Sequence, residues 1–461
     1  MDRSGTGVNS AASLEQTLDA VAGTGRDLNA VTSVMECRAR ALVLTSADRA
    51  AAGKPARSLE GIPFAIKDVI DVAGIPTTMG SKVSSGPDPS TTAPVVYLLE
   101  QAGAMPVAKT NCQEYSYGIL GDESAFGRVV NPIDMALCTG GSSSGSAALV
   151  AAGVVPLALG TDTAGSVRVP AACQGIIGFK PSFGAVPTEG VFPLAPSFDT
   201  VGLLARDLSL LASAFAAITT NGRGSAATGR GSAEEGPRPA EVQPTAKGRS
   251  GSNTTTVDLS LLDSAGDSAN GARRWTELHL SECAVTSARS RELTEIFHRC
   301  TGIYDVVRRY EAFVLHSQLA DTQGELYQPG VWAKIMSGRA ITDAEYHEQV
   351  VALEELRASA ASIFDDVDFL ITPAIDGDVI RWDEIGPDSA ARFMRYSMPV
   401  NVLGWPAVTL PVGAVANLAE ARETPETENA STRAAKPESV QIVGPPHSDE
   451  RLLEFVSGLC P

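Results

Sequence analysis

The spacing of apolar positions changes several times along the chain, and each change predicts a different element. Over residues 13 to about 52 they recur at helical spacing with a break near 23–25, which predicts two helices. Residues 61–74 form a β-branched apolar run with Gly and Pro at its ends, as in a buried strand. Residues 94–102 then predict a helix and residues 104–108 another strand. This alternation predicts an α/β fold with a mixed or parallel sheet.

Two segments lack this pattern. Residues 219–273 are dominated by Gly, Ser, Ala, Thr and scattered charge, and residues 418–438 are similarly polar. Neither segment can bury enough apolar surface to offset the entropy of ordering it. We interpret both as disordered or surface insertions in one large domain over residues 1–461. An interdomain linker at 219–273 is the alternative, but the chain beyond it lacks a complete motif of its own.

The composition supports a large core and argues against several kinds of ligand. Of the 461 residues, 44% are hydrophobic, which suffices for one large α/β domain. The 36 Lys and Arg against 54 Asp and Glu give a formal net charge of −18, which opposes binding to nucleic acid or anionic lipid. The first thirty residues lack the apolar core of an export signal, and no apolar run is long enough to span a bilayer. We therefore expect a soluble, cytoplasmic protein.

The cysteines give no sign of a disulfide framework or a zinc site. There are seven of them in a long chain, and no two form a C-x-x-C pair. We expect buried free thiols and no metal.

Residues 138–170 form the most informative stretch. A Gly/Ser loop leads into a short predicted helix at 146–152, a predicted strand follows at 154–159, and a second loop of small residues runs over 160–166. Loops at strand and helix ends are where unpaired backbone amides can point at an anion or an oxyanion. A Gly/Ser linker would not be followed at once by so apolar a run and a second Gly-rich loop.

Lys67 is the nearest base that could activate a serine of these loops. It lies in the predicted buried strand, and burial lowers the pKa of a lysine toward neutrality, so that it can accept a proton. A salt bridge to Asp68 or Asp71 would instead keep it charged. The spacing alone does not decide between the two.

Three motifs resemble the amidase signature family, a family of Ser-Ser-Lys hydrolases that act on carboxamides. They are Gly-Ile-Pro-Phe-Ala-Ile-Lys67-Asp, Gly140-Gly-Ser142-Ser-Ser-Gly-Ser-Ala-Ala and Gly160-Thr-Asp-Thr-Ala-Gly-Ser166-Val-Arg-Val-Pro-Ala-Ala. Their order also fits. The resemblance extends through 175–182, 197–202, 368–373, 399–407 and 443–446 and leaves out only the two polar insertions.

The resemblance implies the catalytic roles. Ser166 is the nucleophile, Ser142 bridges through a cis peptide bond after Gly141, and Lys67 is the base that acts through Ser142. An acyl-enzyme forms on Ser166 and water releases the acid. The implied oxyanion hole consists of the backbone amides of Thr163, Ala164, Gly165 and Ser166. No metal or organic cofactor is needed.

Supporting roles also follow from the resemblance. Asp162 and Arg168 would pair to hold the nucleophile loop, and Ser143 would hydrogen-bond around the relay. Ser144 and Ala164 replace glycines of the commonest pattern, as in a subset that contains allophanate hydrolases. Against that subset, Tyr304, Arg308 and Arg309 do not clearly reproduce the spacing of a site for a carboxylated urea.

Several alternatives remain open. The chain could be the amidase subunit of a tRNA-dependent amidotransferase, an allophanate-type hydrolase, or a silent amidase-like scaffold. The letters Gly141-Ser-Ser143-Ser-Gly145 also satisfy the nucleophile elbow G-x-S-x-G, with His447 as the one histidine in a suitable late loop.

The fold implied is a single large α/β domain with a mixed sheet covered by helices on both faces. The site would lie at the edge of this sheet, near the loops of Lys67, Ser142 and Ser166. We expect a small-molecule amide as substrate, with no nucleic acid or membrane partner, and the resemblance allows a homodimer. The sequence does not name the amide.

Overall fold

The computed structural model describes residues 11–83, 86–220, 254–265, 269–412 and 436–459. These residues contain one mixed sheet of eleven strands in the order β1-β3-β2-β4-β6-β5-β10-β11-β9-β7-β8. The strands are β1 Val31–Val34, β2 Pro63–Lys67, β3 Met105–Thr110, β4 Leu157–Asp162, β5 Ile177–Lys180, β6 Thr200–Ala205, β7 Thr256–Asp258, β8 Ala284–Thr286, β9 Phe369–Pro373, β10 Ala407–Pro411 and β11 Ser439–Val443.

Helices surround this sheet. They are α1 Ala11–Ala22, α2 Thr24–Asp27, α3 Glu36–Ala51, α4 Pro94–Gln101, α5 Ser144–Ala151, α6 Arg168–Cys173, α7 Leu208–Thr220, α8 Ser260–Ser264, α9 Asn270–His279, α10 Ser290–Gln323, α11 Pro329–Met336, α12 Asp343–Ala360, α13 Ser389–Met394, α14 Met398–Val402 and α15 Asp449–Leu459. Short 3₁₀ turns lie at Glu114–Ser116, Gly324–Leu326, Ser337–Ala340, Ala361–Asp365 and Trp382–Glu384.

Helices cover both faces of the sheet, as β2 illustrates. Successive residues of a strand point to opposite faces. Phe64 and Ile66 pack in a core with Leu99 of α4, whereas Ala65 packs in a second core with Leu149 of α5. The mixed α/β fold with helices on both faces is confirmed.

The topology brings two strand ends to one place. β2 pairs in parallel with β4, with Ile66 opposite Leu159. Their carboxyl ends, Lys67 and Asp162, therefore point to the same edge of the sheet. The site lies at this edge between inner strands.

Three elements differ from the sequence prediction. The second predicted helix contains β1, where Val31 pairs with Thr110 and Val34 with Ala108. The strand predicted over 61–74 ends at Lys67 and continues as turns. Tertiary pairing with β3 outweighs the helical spacing of Val31 and Val34, which as β-branched residues also suit a strand.

The strand after the Gly/Ser loop is also displaced. It begins at Leu157 and extends to Asp162, so the predicted loop loses its first three residues. Thr161 pairs with Val201 and Asp162 with Thr200 of β6, an antiparallel partner that local spacing does not reveal.

The polar segment 219–273 is not an insertion along its whole length. β7 pairs in parallel with β8 and β9, and Val257, Leu261 and Leu262 are buried. The predicted end at 273 is therefore wrong, because a short apolar run within Ser- and Thr-rich sequence completes the sheet. Residues 221–253, 266–268 and 418–435 of the two predicted insertions lie outside the described residues.

Candidate active site

Lys67 ends β2 with its side chain fully buried. Its Nζ donates hydrogen bonds of 2.6 Å to Ser142 Oγ and 2.6 Å to Thr161 Oγ1. Burial, which disfavours the ammonium form, lowers the pKa of Lys67 to about 8, against a smaller opposing effect of nearby acidic groups. A substantial fraction of Lys67 is therefore neutral near physiological pH.

The salt-bridge alternative for Lys67 fails at Asp68. The Asp68 carboxylate lies 2.9 Å from the Nζ of Lys109, and both side chains are fully buried. Thr78 Oγ1 also donates to Asp68, at 2.5 Å. Of the two neighbours that could have kept Lys67 charged, Asp68 is thus paired with another lysine, and the hydrogen bonds of Lys67 Nζ go to Ser142 and Thr161 instead of Asp71.

Ser142 lies in the Gly/Ser loop, two residues before α5 begins. The Gly141–Ser142 peptide bond is cis. The Ser142 carbonyl accepts from the Gln113 amide at 3.1 Å, and the Gly141 amide donates to the Ile119 carbonyl at 2.7 Å. These backbone bonds fix the loop so that the Ser142 hydroxyl faces Lys67.

Ser166 lies in the turn before α6 and is 3% exposed. Its carbonyl accepts from the Ser143 amide at 3.2 Å, which ties the nucleophile loop to the Gly/Ser loop. Within the described part of the chain, no hydrogen bond reaches the Ser166 hydroxyl. A side-chain hydrogen bond therefore joins Lys67 to Ser142. Ser166 is connected to the Gly/Ser loop by the backbone hydrogen bond from Ser143.

Asp162 and Arg168 form a fully buried ion pair across the nucleophile loop, with 2.9 Å between Arg168 Nη2 and Asp162 Oδ1. Arg168 also donates to Gln441 Oε1 at 2.6 Å and to the Ser397 carbonyl at 2.9 Å. Burial alone would raise the pKa of Asp162, but the Arg168 charge and hydrogen bonds hold it well below its usual range. The carboxylate is therefore a permanent anchor for the loop.

The Asp162 anchor changes the predicted oxyanion hole. Its Oδ1 accepts from the Gly165 amide at 2.7 Å, so this amide is already occupied. The amides of Thr163, Ala164 and Ser166 have no such hydrogen bond among the described residues. In this conformation the carboxylate that shapes the loop therefore competes for the N–H of Gly165, one of the four predicted donors.

Ser143 and Thr161 connect the two loops. Ser143 Oγ donates to the Thr161 carbonyl and accepts from the Thr161 amide, both at 3.3 Å. Ser143 thus holds the strand end whose hydroxyl binds Lys67. The sequence prediction missed Thr161, although it stands in the Gly160-Thr-Asp motif.

The chain also matches a known protein family over most of its length. A sequence model of the family Amidase matches residues 12–242 and 279–453. The chain belongs to the Amidase family. It is therefore an amide-cleaving hydrolase.

Relatives and solved structures extend over most of this amidase. It is 32% identical over 423 residues to the A subunit of the glutamyl-tRNA(Gln) amidotransferase of Symbiobacterium thermophilum, covering 86% of this chain and 82% of that one. It is 29% identical over 427 residues to the 2-amino-5-chloromuconic acid deaminase of Comamonas testosteroni, covering 88% and 82%. An amidase crystal structure superposes with a TM-score of 0.76 at 28% identity, covering 97% and 94%.

A cavity of about 300 Å³ adjoins the amidase loops. Ser116, Thr161 and Thr163 line one side of it, and residues between Phe183 and Val201 line the rest. Asp199 is the acidic member of this lining, and it accepts from Thr163 Oγ1 at 2.6 Å. Sequence reasoning did not assign a role to Asp199, although it stands in the matching 197–202 segment.

The nucleophile-elbow alternative does not fit the amidase structure. Residues 111–143, all described, contain no strand to lead into Ser143. His447 is exposed, and its amide donates to Ser182 Oγ at 3.0 Å. His447 therefore has no contact that would let it activate Ser143.

The described residues contain no group of three or more His, Cys, Asp or Glu placed to hold a metal ion. Likewise, none of their helices combines the length and apolar character needed to cross a bilayer.

Proposed function

We propose that this amidase hydrolyses a small carboxamide through a Lys67–Ser142–Ser166 relay and an acyl-enzyme on Ser166. The observation that carries the proposal is the position of Lys67, buried and hydrogen-bonded to the hydroxyl of Ser142. A lysine in this setting can accept a proton near neutral pH, and a serine needs such a base to become a nucleophile.

The proton path starts at the nucleophile. Ser166 gives its proton to Ser142 Oγ while Ser142 gives its own to neutral Lys67, and Ser166 Oγ attacks the amide carbon. The C–N bond then breaks, and the leaving nitrogen takes the proton back through Ser142. Water, deprotonated along the same path, attacks the acyl-enzyme and releases the carboxylic acid. The contact between Ser142 and Ser166 closes when substrate binds, since catalytic hydrogen bonds are often long before that step.

The charge that develops on the carbonyl oxygen needs donors. The amides of Thr163, Ala164 and Ser166 supply them in this proposal, while Gly165 stays on Asp162. Removing one such donor typically costs about 10² to 10³ in rate. No metal or organic cofactor takes part in the proposed steps.

A second candidate is the amidase subunit of an amidotransferase. The match to the Symbiobacterium relative over 86% of this chain supports it. The two candidates share the relay and differ in the fate of the ammonia. A simple amidase releases it into solution, whereas an amidotransferase passes it to a second substrate on partner chains.

The test uses the full chain and a fluorophosphonate probe, which reacts with an activated serine. We expect labelling of Ser166 in the parent, none in Ser166→Ala with the fold retained, and ammonia release from a panel of aliphatic, aromatic and urea-type amides. Ser144→Ala, which changes a loop serine outside the relay, should keep the label. Labelling at Ser143 would favour the elbow. No labelling of a folded parent would favour a silent scaffold, and glutamine hydrolysis that needs partner chains would favour the amidotransferase.

A further inference from the structure

The cavity beside the nucleophile loop is lined mainly by apolar side chains and hydroxyl groups. Val186, Val191, Phe192, Leu194 and Val201 supply apolar surface, and the polar lining is mostly hydroxyl. Thr161, which binds Lys67, and Thr163, which starts the nucleophile loop, both lie in the wall. A substrate held at Ser166 would therefore place its acyl group in this cavity.

The ionisable lining is entirely acidic. Asp199 carries the one carboxyl, and no Lys, Arg or His is among the described residues that line the cavity. The Asp199 carboxyl accepts from Thr163 Oγ1 and from the amides of Leu194 and Ala195, at 2.6 to 3.0 Å. The Asp199 oxygens therefore already accept hydrogen bonds from the protein, and the ionised carboxylate repels an incoming anion.

A substrate carboxylate would also work against Lys67. An opposite charge close to a lysine favours its ammonium form. The proposed relay needs the neutral amine, so a carboxylate in this cavity would lower the fraction of enzyme that is ready to react.

The nearest alternative for binding a carboxylate is Arg308 on α10. Its guanidinium lies over the rings of Tyr117 and Tyr304, at 5.2 and 4.8 Å, and donates to Asp305 at 3.3 Å. Arg308 is not part of the cavity lining. Its cation is therefore held by two tyrosine rings and an aspartate instead of lining the cavity.

We propose that the amidase selects small, uncharged amides with a mainly apolar acyl group and discriminates against amides that carry a carboxylate; this rests on the proposed function. The cavity of about 300 Å³ lies at the small end of ligand pockets.

A matched pair of fluorophosphonates tests the charge preference at Ser166 and does not depend on the leaving group of the natural substrate. One probe carries a butyl chain and the other a 3-carboxypropyl chain of similar length. We expect the butyl probe to label Ser166 about tenfold faster or more, because the carboxylate meets Asp199 in a lining that holds no cationic side chain and also favours the unreactive ammonium form of Lys67. Butyramide should likewise be hydrolysed in preference to succinamate.

A substitution at the cavity rim supplies the missing cation. Thr188 is an exposed lining residue. Thr188→Lys should reduce the preference for the butyl probe severalfold, whereas Thr188→Gln, of similar length without charge, should leave it unchanged. An unchanged preference in both variants would contradict the role of charge.

Two failures can be told apart. If neither probe labels Ser166 in the folded protein, the proposed function is wrong. If the carboxylate probe labels faster, and Arg308→Gln removes that preference, the relay stands and the proposed selectivity is overturned in favour of a carboxylate site at Arg308.

Discussion

Asp68 is the sequence neighbour of Lys67, yet its buried ion pair is with Lys109, at 2.9 Å. Lys67 is the last residue of β2, whereas Asp68 lies in the turn that follows the strand. Lys67 instead donates to the hydroxyls of Ser142 and Thr161, which do not neutralise the ammonium charge as a carboxylate would. The pairing of Asp68 with Lys109 therefore supports the proposed role of Lys67 as the base, because it leaves Asp68 unavailable as a counter-ion for Lys67.

The pH dependence of the reaction follows from this environment. Burial lowers the pKa of Lys67 to about 8, and the base must be unprotonated, so kcat/KM should rise with pH through about 8 and then level off. Lys67→Ala should lose most of the rate with the fold retained. Lys67→Arg should not restore it, because a guanidinium does not release its proton at working pH. The measurement is the pH profile of ammonia release; near-parental turnover by Lys67→Arg would disprove the relay.

Thr161→Val removes one of the two hydroxyls that Lys67 contacts. The ammonium form loses a hydrogen-bond acceptor, so the midpoint of the pH profile should move down by about one unit. We expect kcat/KM at high pH to fall about tenfold, since Lys67 is oriented less well. Thr409→Val is the control, because that hydroxyl is buried in β10 without a hydrogen-bond partner. A change in rate without a shifted midpoint would indicate a merely structural role for Thr161.

Arg168→Met should destabilise the protein by about 3 to 5 kcal/mol, because it leaves the Asp162 carboxylate buried without its cation. The measurement is urea unfolding at several pH values. The Arg168 pair holds the pKa of Asp162 below its unfolded value, so its contribution is present at neutral pH and lost as the pH falls. The gap between parent and variant should therefore narrow in acid. Arg274→Met, which breaks the exposed pair with Glu438, should leave the unfolding curve unchanged.

Gly165→Ala should inactivate the enzyme. Gly165 has a φ of +121°, and a Cβ there would overlap Ser397 Oγ and lie 2.7 Å from Ser397 Cβ. The loop can relieve this contact only by moving Ser166, and a displacement of about 1 Å can cost about 10² in rate. The matched control is Gly53→Ala, a positive-φ glycine with nothing within 4 Å of the added Cβ. Equal probe-labelling rates for Gly165→Ala and the parent would contradict the packing argument.

The sequence could predict roles for Lys67, Ser142 and Ser166 because each stands in a contiguous motif. Thr161 and Asp199 stand in matching segments too, but their roles come from contacts across the fold. Nothing local indicates that the Asp199 carboxyl binds Thr163, which lies thirty-six positions earlier in the chain.

The errors in the fold have the same origin. β1 and β7 are short strands that form because a partner strand is available, and neither has enough local pattern to specify it. The extension of β4 to Asp162 likewise depends on β6. The helix α4 was predictable because its own sequence carries the apolar spacing, a Pro at its start and a Gly after its end.

The strand order divides the sheet into two consecutive parts of the chain that meet where β5 pairs with β10. Lys67, Ser142 and Ser166 all belong to the first part, whereas Ser397 and Gln441, which hold Arg168, belong to the second. During synthesis the ribosome therefore makes Ser166, the proposed nucleophile, long before it makes Ser397 and Gln441, which hold Arg168 and through it the loop of Ser166. A nascent or truncated chain that ends before Ser397 carries Lys67, Ser142 and Ser166 without the contacts that hold Arg168 and the loop. In the proposed mechanism, the enzyme therefore becomes active only after its carboxyl-terminal half has been made and has folded.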